Sequence, residues 1–339
     1  MTISQKSEID VLSLTSENGW TAAMGKIKIG VSACLWGENV RYDGGHQWDR
    51  YLTQTLGRYF EWIPVCPEVE YGLPVPREAM RLFGDPATPR LVTIRSKIDH
   101  TNGMKSWAAE KLLSLEKEAL CGFIFKSKSP SSGMTAVKVY GDAGIPSRRG
   151  TGIFAGAFMM HFPLMPVEDD GRLHDPVLRE NFIARIFVYH HWREMMTHQE
   201  IRTRDLEAFH RCHKLLFMSH SQKHLTVLGR IVADHERKPL SDTLSEYFQV
   251  MMEGLKLIAT PKKHTNVLMH MMGYFKTQLT AGEKQELLDI LERYRQGALP
   301  LIVPVTLMTH YVRKFDSTYL KEQTYLNPHP VELMLRNHV

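Results

Sequence analysis

Apolar and polar positions follow two different rhythms along this chain, and the rhythm changes near residue 170. In the first half, short apolar runs stop at small or polar residues: IKIGVSAC (27–34), WIPVCPEV (62–69), CGFIFKSK (121–128) and VKVY (137–140). Runs of that length and β-branched content predict buried strands. Between them, 47–59 and KSWAAEKLLSLEKEAL (105–120) carry apolar residues at helical spacing, and FAGAFMMHF opens a further helix. GDAGIPSRRGTG reads as a loop. Strands alternating with helices predict a parallel, Rossmann-like α/β sheet. Such sheets place their ligands at the carboxyl ends of the strands.

The second half reads differently. Strand-like runs nearly vanish, and 177–198, 203–218, 222–234, 240–259, 264–279 and 282–296 all show helical periodicity, which predicts an all-α domain. MPVEDDGRLHDP, with its prolines, glycine and acidic cluster, is the candidate linker. The expected organisation is an N-terminal arm (1–26), an α/β domain (27–165), a linker (166–176) and a helical domain (177–339).

Composition narrows the class. The chain has 339 residues, which suits two domains, with 43% hydrophobic and 23% charged residues, as in ordinary globular proteins. No apolar run approaches the ~18 residues of a membrane helix. The first twenty residues lack the basic-then-apolar order of a signal peptide. Cys34, Cys66, Cys121 and Cys212 are few and far apart, so reduced thiols in the cytoplasm are expected rather than a disulfide framework. A net charge of +5 with 17 histidines permits a polyanionic partner without requiring one.

Three motifs each follow a predicted strand: SACLWGENVRYDGG (32–45), CPEVEYGLPVPRE (66–78) and SKSPSSGM (127–134). They therefore converge on one sheet edge. Two cysteines on neighbouring strand ends suit a soft metal or an iron–sulfur cluster. Glu68, two residues after Cys66, has the chemistry of a general base. Ser127, Ser129, Ser131 and Ser132 offer hydroxyls, and Gly133 with its neighbouring N–H groups could cradle an anion. Arg41, Arg77, Lys126 and Lys128 bring positive charge, with Asp43 beside them. Against this stands the plain reading: a lone cysteine on a strand is usually core, and proline- or serine-rich turns are usually only turns.

SAC-L-x-G-x-x-V-R-Y-D-G, CPE-V-x-x-G-L-x-V-P-R-E and K-S-P-S-x-G-M together resemble the 2-thiouracil desulfidase family, from about residue 27 to 165. HDPVLRENF, HTNVLMHMMGYFK, YRQGALPLIVPVTLMTHY and YLNPHPVELMLRN resemble the YbgA-like helical domain. The fusion resembles bacterial desulfidases acting on 4-thiouridine in tRNA. The resemblance implies a [4Fe–4S] cluster on three cysteines with one iron open to the thiocarbonyl sulfur. A carboxylate-activated water then replaces sulfur, which leaves as hydrosulfide without net electron transfer. By position, Cys34 and Cys66 become ligands, Glu68 the general base or acid, and Ser129 a contact to substrate or cluster; from their chemistry, Arg41, Asp43, Lys126, Ser131 and Gly133 are the expected substrate contacts.

The chain departs from this pattern at Ser132, where the family has its third cysteine. Cys121, at the far end of the preceding strand, reads as core rather than as a replacement. Three readings stand: Ser132 ligates as an alkoxide, a harder donor than thiolate; two cysteines and another group hold the cluster; or the site is altered and weaker or inactive.

In the helical half, HTNVLMHMMGYFK sets His264, Asn266, His270, Tyr274 and Lys276 on a helix, with His270 and Tyr274 four residues apart on one face. With Lys262, Lys263, Arg295, His310, Arg313 and Lys314 they suit phosphate contact and base stacking. For most single positions helix packing or plain surface is the competing explanation, and Cys212 reads as core. The expected partner is tRNA or a thiolated base, with no membrane and no obligatory protein partner. The alternatives are a free-thiouracil desulfidase and a binder of thiolated tRNA without chemistry.

Overall fold

The computed structural model describes residues 26–142, 145–197 and 199–338. The expected N-terminal arm, apart from Lys26, lies outside them. The chain divides into two compact units, Lys26–Phe182 and a second from Ile183 onward. Among the described residues, no helix is long and apolar enough to cross a membrane.

The first unit is built on four parallel strands: β1 (Ile27–Ser32), β2 (Phe60–Val65), β5 (Phe123–Phe125) and β8 (Val167–Asp169), in the order β2-β1-β5-β8. The expected parallel α/β sheet is therefore present. Two short helical segments follow strands directly, α1 (Ala33–Trp36) after β1 and α2 (Pro67–Glu70) after β2. Helices α3 (Thr101–Lys117) and α4 (Ile153–His161) carry the apolar cover. Phe123 and Phe125 pack with Leu112, Leu115, Phe154 and Phe158 in one buried cluster. Each such side chain contributes ~1.5–3 kcal/mol by leaving water, enough to fix the register that sets the strand ends.

Several elements differ from the sequence reading. A second sheet, of order β4-β3-β6-β7, uses β3 (Met80–Phe83), β4 (Arg90–Thr93), β6 (Val137–Tyr140) and β7 (Ser147–Gly150). Of these only β6 was expected. Charged residues interleave the others, and Arg81 and Arg90 lie over the Phe83 ring, so polar positions share in covering the apolar ones. The supposed loop 141–152 contains β7, antiparallel to β6. The supposed linker contains β8, paired with Phe123–Phe125, so its acidic residues end a strand rather than join domains. The supposed helix 47–59 is reduced to a π-helical turn at Tyr51–Thr55 and a 3-10 turn at Leu56–Arg58.

The second unit is helical: most of α5 (Pro176–Met196), then α6 (Thr203–His220), α7 (Gln222–Ala233), α8 (Leu240–Leu255), α9 (Pro261–Gly273), α10 (Ala281–Arg295), α11 (Ile302–Lys314) and α12 (Thr318–Lys321). Local chemistry sets the starts. Thr280 and Glu283 form a reciprocal capping box at α10, and Thr260 with Pro261 opens α9. Helix α11 was not among the expected helices; its Pro304 sits in the first turn, where the missing N–H costs nothing.

Candidate functional site

The carboxyl ends of β1, β2 and β5 surround a cavity of about 410 Å³ lined by Cys34, Cys66, Glu68, Lys126, Ser129 and Ser132, with Arg41 and Arg77 also on its wall. The pairing explains the convergence. Ser32 and Val65 are register partners on adjacent parallel strands, so Cys34 and Cys66 emerge side by side. Lys126 N donates to Ser32 Oγ at 2.8 Å, tying the third strand end to the first.

The serine loop is shaped by the start of α4. Phe154 and Ala155 N–H donate to the Ser131 carbonyl at 2.9 and 3.1 Å, and Ile153 N–H to Pro130 O at 3.2 Å. Gly152 is required there: a Cβ would lie 2.5 Å from the Ser131 carbonyl. Inside the loop, Ser129 Oγ accepts from the N–H groups of Ser131 and Ser132 at 3.3 and 3.1 Å. Ser131 Oγ donates to Glu68 Oε1 and lies 3.0 Å from Ser129 Oγ. Since Ser131 spends its proton on the carboxylate, Ser129 is the donor in the serine–serine bond. The two hydroxyls form a chain that ends on Glu68.

Glu68 Oε2 lies 3.5 Å from the Cys66 thiol, which donates to it, and 3.8 Å from Arg77 Nη2. Lys126 is held by Asp170 at 2.7 Å, and Asp170 also accepts from Ser127 N. That bond and the Ser127 N–H hold the Asp170 carboxyl below the usual range despite burial. Burial, reinforced by Glu68, pushes the Cys66 thiol up to about 12. Burial raises the Cys34 thiol to about 11, with Lys126 and Arg41 opposing. Both sulfurs are therefore protonated at neutral pH, and any metal they bind must displace protons.

The structure brings Cys34, Cys66, Glu68, Ser129, Ser132, Arg41 and Lys126 to one cavity. It separates the other expected contacts. Ser131 is fully buried behind the wall, its hydroxyl engaged by Glu68, so it positions a carboxylate instead of meeting substrate. Gly133 is a packing glycine: a Cβ would meet Val137 at 2.5 Å, and its N–H is given to Ser129 O. Asp43 is spent on its own loop, accepting from Gly45 N at 3.1 Å and pairing with Arg41 at 3.5 Å. Cys121 and Cys212 are buried and absent from this wall, as expected of core residues. Sequence reasoning missed Asp170, because its strand was read as a linker; the apolar-to-acidic ending of β8 was the available signal.

Two thiols on adjacent strand ends are the soft donors that an iron–sulfur cluster needs. Ser132, 4% exposed and on the same wall, adds an oxygen as the third point. Among the described residues no group of three or more His, Cys, Asp or Glu side chains is placed to hold a metal ion, so a third donor beside the two thiols would be an oxygen, a harder one.

In the helical unit, Asn266, His270, Tyr274 and Lys276 are exposed at α9 and just beyond it. The His270 and Tyr274 rings meet edge to face at 5.6 Å, and Tyr274 stacks on Tyr319. His264 does not join them. It is buried, and its Nδ1 meets Tyr325 Oη at 3.0 Å, because it falls on the core face of the helix.

A parallel sheet whose strand ends gather thiols, a carboxylate and cations around one cavity defines a sheet-edge reaction site. Comparison with known families gives it a name. Residues 29–170 match the 2-thiouracil desulfurase family, and residues 214–330 match a family described as protein of unknown function DUF1722. The uncharacterized protein YbgA of Escherichia coli (strain K12) is 34% identical over 159 residues, 47% of this chain and 94% of YbgA. A solved structure of the [4Fe-4S]-dependent thiouracil desulfidase TudS is 29% identical and covers 44% of this chain and 95% of its own, with a TM-score of 0.36. The chain belongs to the YbgA-like family through its helical half, and its α/β half is a domain of the 2-thiouracil desulfurase family.

Proposed function

We propose that this chain removes sulfur from a thiolated uracil, and that its substrate is 4-thiouridine in tRNA, converted with water to uridine and hydrosulfide. The observation that carries the reading is the single cavity shared by Cys34, Cys66, Glu68, Ser129 and Ser132 at the strand ends. Cys34, Cys66 and Ser132 would hold a [4Fe–4S] cluster. When bound, it supplies a Lewis-acidic iron for the thiocarbonyl sulfur. Glu68 takes a proton from the attacking water, and the Ser129–Ser131 chain and Arg77 keep its carboxylate aimed at the cavity. Lys126 and Arg41 place positive charge where an anionic uracil or a phosphate would sit. The four free cysteines suit a reducing, cytoplasmic setting.

The polynucleotide part of the proposal draws on the net charge of +5 and on the exposed Asn266, His270, Tyr274 and Lys276 of the helical unit. A free base needs only the α/β cavity; a cationic, aromatic surface is useful for a base that arrives on RNA and must leave its stack to react. The test is tRNA affinity at two salt concentrations for the full chain and for the His270→Ala/Tyr274→Ala/Lys276→Ala variant. The proposal expects binding that weakens steeply with salt and a weaker variant. Salt-independent, unchanged affinity would restrict the activity to free thiouracil. One feature favours a second reading, binding of thiolated tRNA without chemistry: the oxygen of Ser132 where a third thiol is expected.

A further inference from the structure

The second sheet of the α/β unit has one covered face and one open face. Leu82, Leu91, Val137 and Val139 are buried and pack with Met104 and Ile153. Side chains alternate along a strand, so their neighbours Arg81, Phe83, Arg90, Lys138 and Tyr140 project from the opposite face. The ring contacts agree. The Arg81 guanidinium lies 5.5 Å from the Phe83 centroid and 5.1 Å from that of Tyr140, and Arg90 lies 5.5 Å from Phe83. Arg149 joins them, because a Cβ at the next residue, Gly150, would point inward, 2.4 Å from the Val139 side chain.

Charge on this face is of one sign. Strands β3, β4, β6 and β7 carry five cationic residues and no acidic one. Arg90, Lys138, Arg148 and Arg149 are exposed. Arg90 pairs with Asp99 at 3.8 Å; among the described residues, Arg81, Lys138, Arg148 and Arg149 have no carboxylate partner. A face that met only water would intersperse both signs. A set of unpaired cations repels itself and attracts a polyanion.

Two further features select the polyanion. Phe83 and Tyr140 are register partners on adjacent strands, so two rings stand side by side among the cations. Cationic groups with aromatic faces suit a single nucleic-acid strand, whose phosphates and bases alternate. The face also adjoins the desulfuration cavity. Met80, the first residue of β3, lines that cavity, and Phe83 follows three residues on, ~10 Å along the strand.

We propose that the open face of this sheet holds the RNA strand flanking the base in the cavity. Its phosphates lie against Arg81, Arg90, Lys138 and Arg149, and its neighbouring bases against Phe83 and Tyr140. This rests on the reading of the cavity as a site for a uracil carried on RNA.

The test is a fluorescence-anisotropy titration of the full chain with a labelled oligouridylate carrying one 4-thiouridine, over a series of salt concentrations. Lys138→Gln/Arg149→Gln removes two exposed charges from the face. Lys105→Gln/Lys117→Gln, at exposed positions of α3, removes the same charge elsewhere. The sheet variant should bind about tenfold more weakly, and its salt slope should fall by about 1.4, or about 0.7 for each lost contact to a single strand. The α3 variant should bind as the wild type does. Unchanged affinity and slope in the sheet variant, or an equal loss in the α3 variant, would overturn the surface and leave the RNA reading of the cavity standing. A wild-type chain that binds no RNA would overturn both. RNA held through the sheet with no hydrosulfide released by the reconstituted chain would uphold the surface and overturn the desulfuration reading. Displacement of the RNA by polyglutamate at equal charge concentration would assign the face to an acidic protein instead.

Discussion

The two units treat their buried polar groups in opposite ways. In the α/β unit these groups gather at one sheet edge and satisfy each other around a cavity: Ser131 with Glu68, Lys126 with Asp170. In the helical unit they include imidazoles spread through the core and held neutral by burial, among them His213, His220 and His264. A polar network at strand ends is organised to act on something placed among its members. Dispersed neutral histidines instead make a scaffold sensitive to protons, with chemistry left to its cavities and surface. The difference teaches that the same kind of buried polar group is used in two ways in this chain, gathered at a cavity in one unit and held neutral in the core of the other.

The sharpest break in that comparison comes at the thiols. Cys34→Ala and Cys66→Ala should each lose nearly all iron after reconstitution, since each removes one of two soft donors. Cys121→Ala and Cys212→Ala, in buried positions away from the cavity, should keep it. Iron counting on the four variants checks this; iron lost with Cys121→Ala and kept with Cys34→Ala would move the site. Next in size is Glu68→Gln, which keeps shape and removes the base. Turnover should fall at least ~100-fold while iron content stays unchanged. Wild-type turnover in that variant would take Glu68 out of the reaction.

How much of this was legible in the chain depended on how much each element says locally. The strands that deliver Cys34 and Cys66 end in apolar runs, and β1 is paired on both sides, by β2 and β5, so their ends could be read directly. Strands β3, β4, β7 and β8 are three or four residues long and mix charge with apolar residues; pairing, not pattern, makes them strands. Ser131 and Ser129 are alike in sequence, and only the turn over the start of α4 sends one behind the wall and the other onto it. His264 and His270 differ by six residues on one helix, yet one faces the core and the other solvent.

A smaller effect sharpens the contrast from the helical side. His213 and His220 are pushed down to about 4 from an ordinary value of 6.5, and His329 to about 3. The unfolded chain therefore takes up protons first as pH falls, and stability is lost between about pH 6.5 and the folded values. By pH 5 each such histidine should cost on the order of 1–2 kcal/mol. Glu194, raised to about 7 by burial, works in the opposite direction and offsets part of this. Hydrogen exchange at pH 7 and pH 5 should show protection falling more in the helical unit than in the α/β sheet. Equal loss in both units would remove the distinction.

The central claim is that the cavity of Cys34, Cys66, Ser132 and Glu68 is a desulfuration site. Its most direct measurement is hydrosulfide release from 4-thiouridine-containing tRNA by the anaerobically reconstituted full chain, with iron and sulfide counted on the same sample and Ser132→Cys run beside it. The account predicts bound iron and sulfide with hydrosulfide released in step with uridine formed, and tighter iron retention in Ser132→Cys, where a thiolate replaces the hydroxyl. Absence of both iron and hydrosulfide from the wild-type chain and from Ser132→Cys would contradict it.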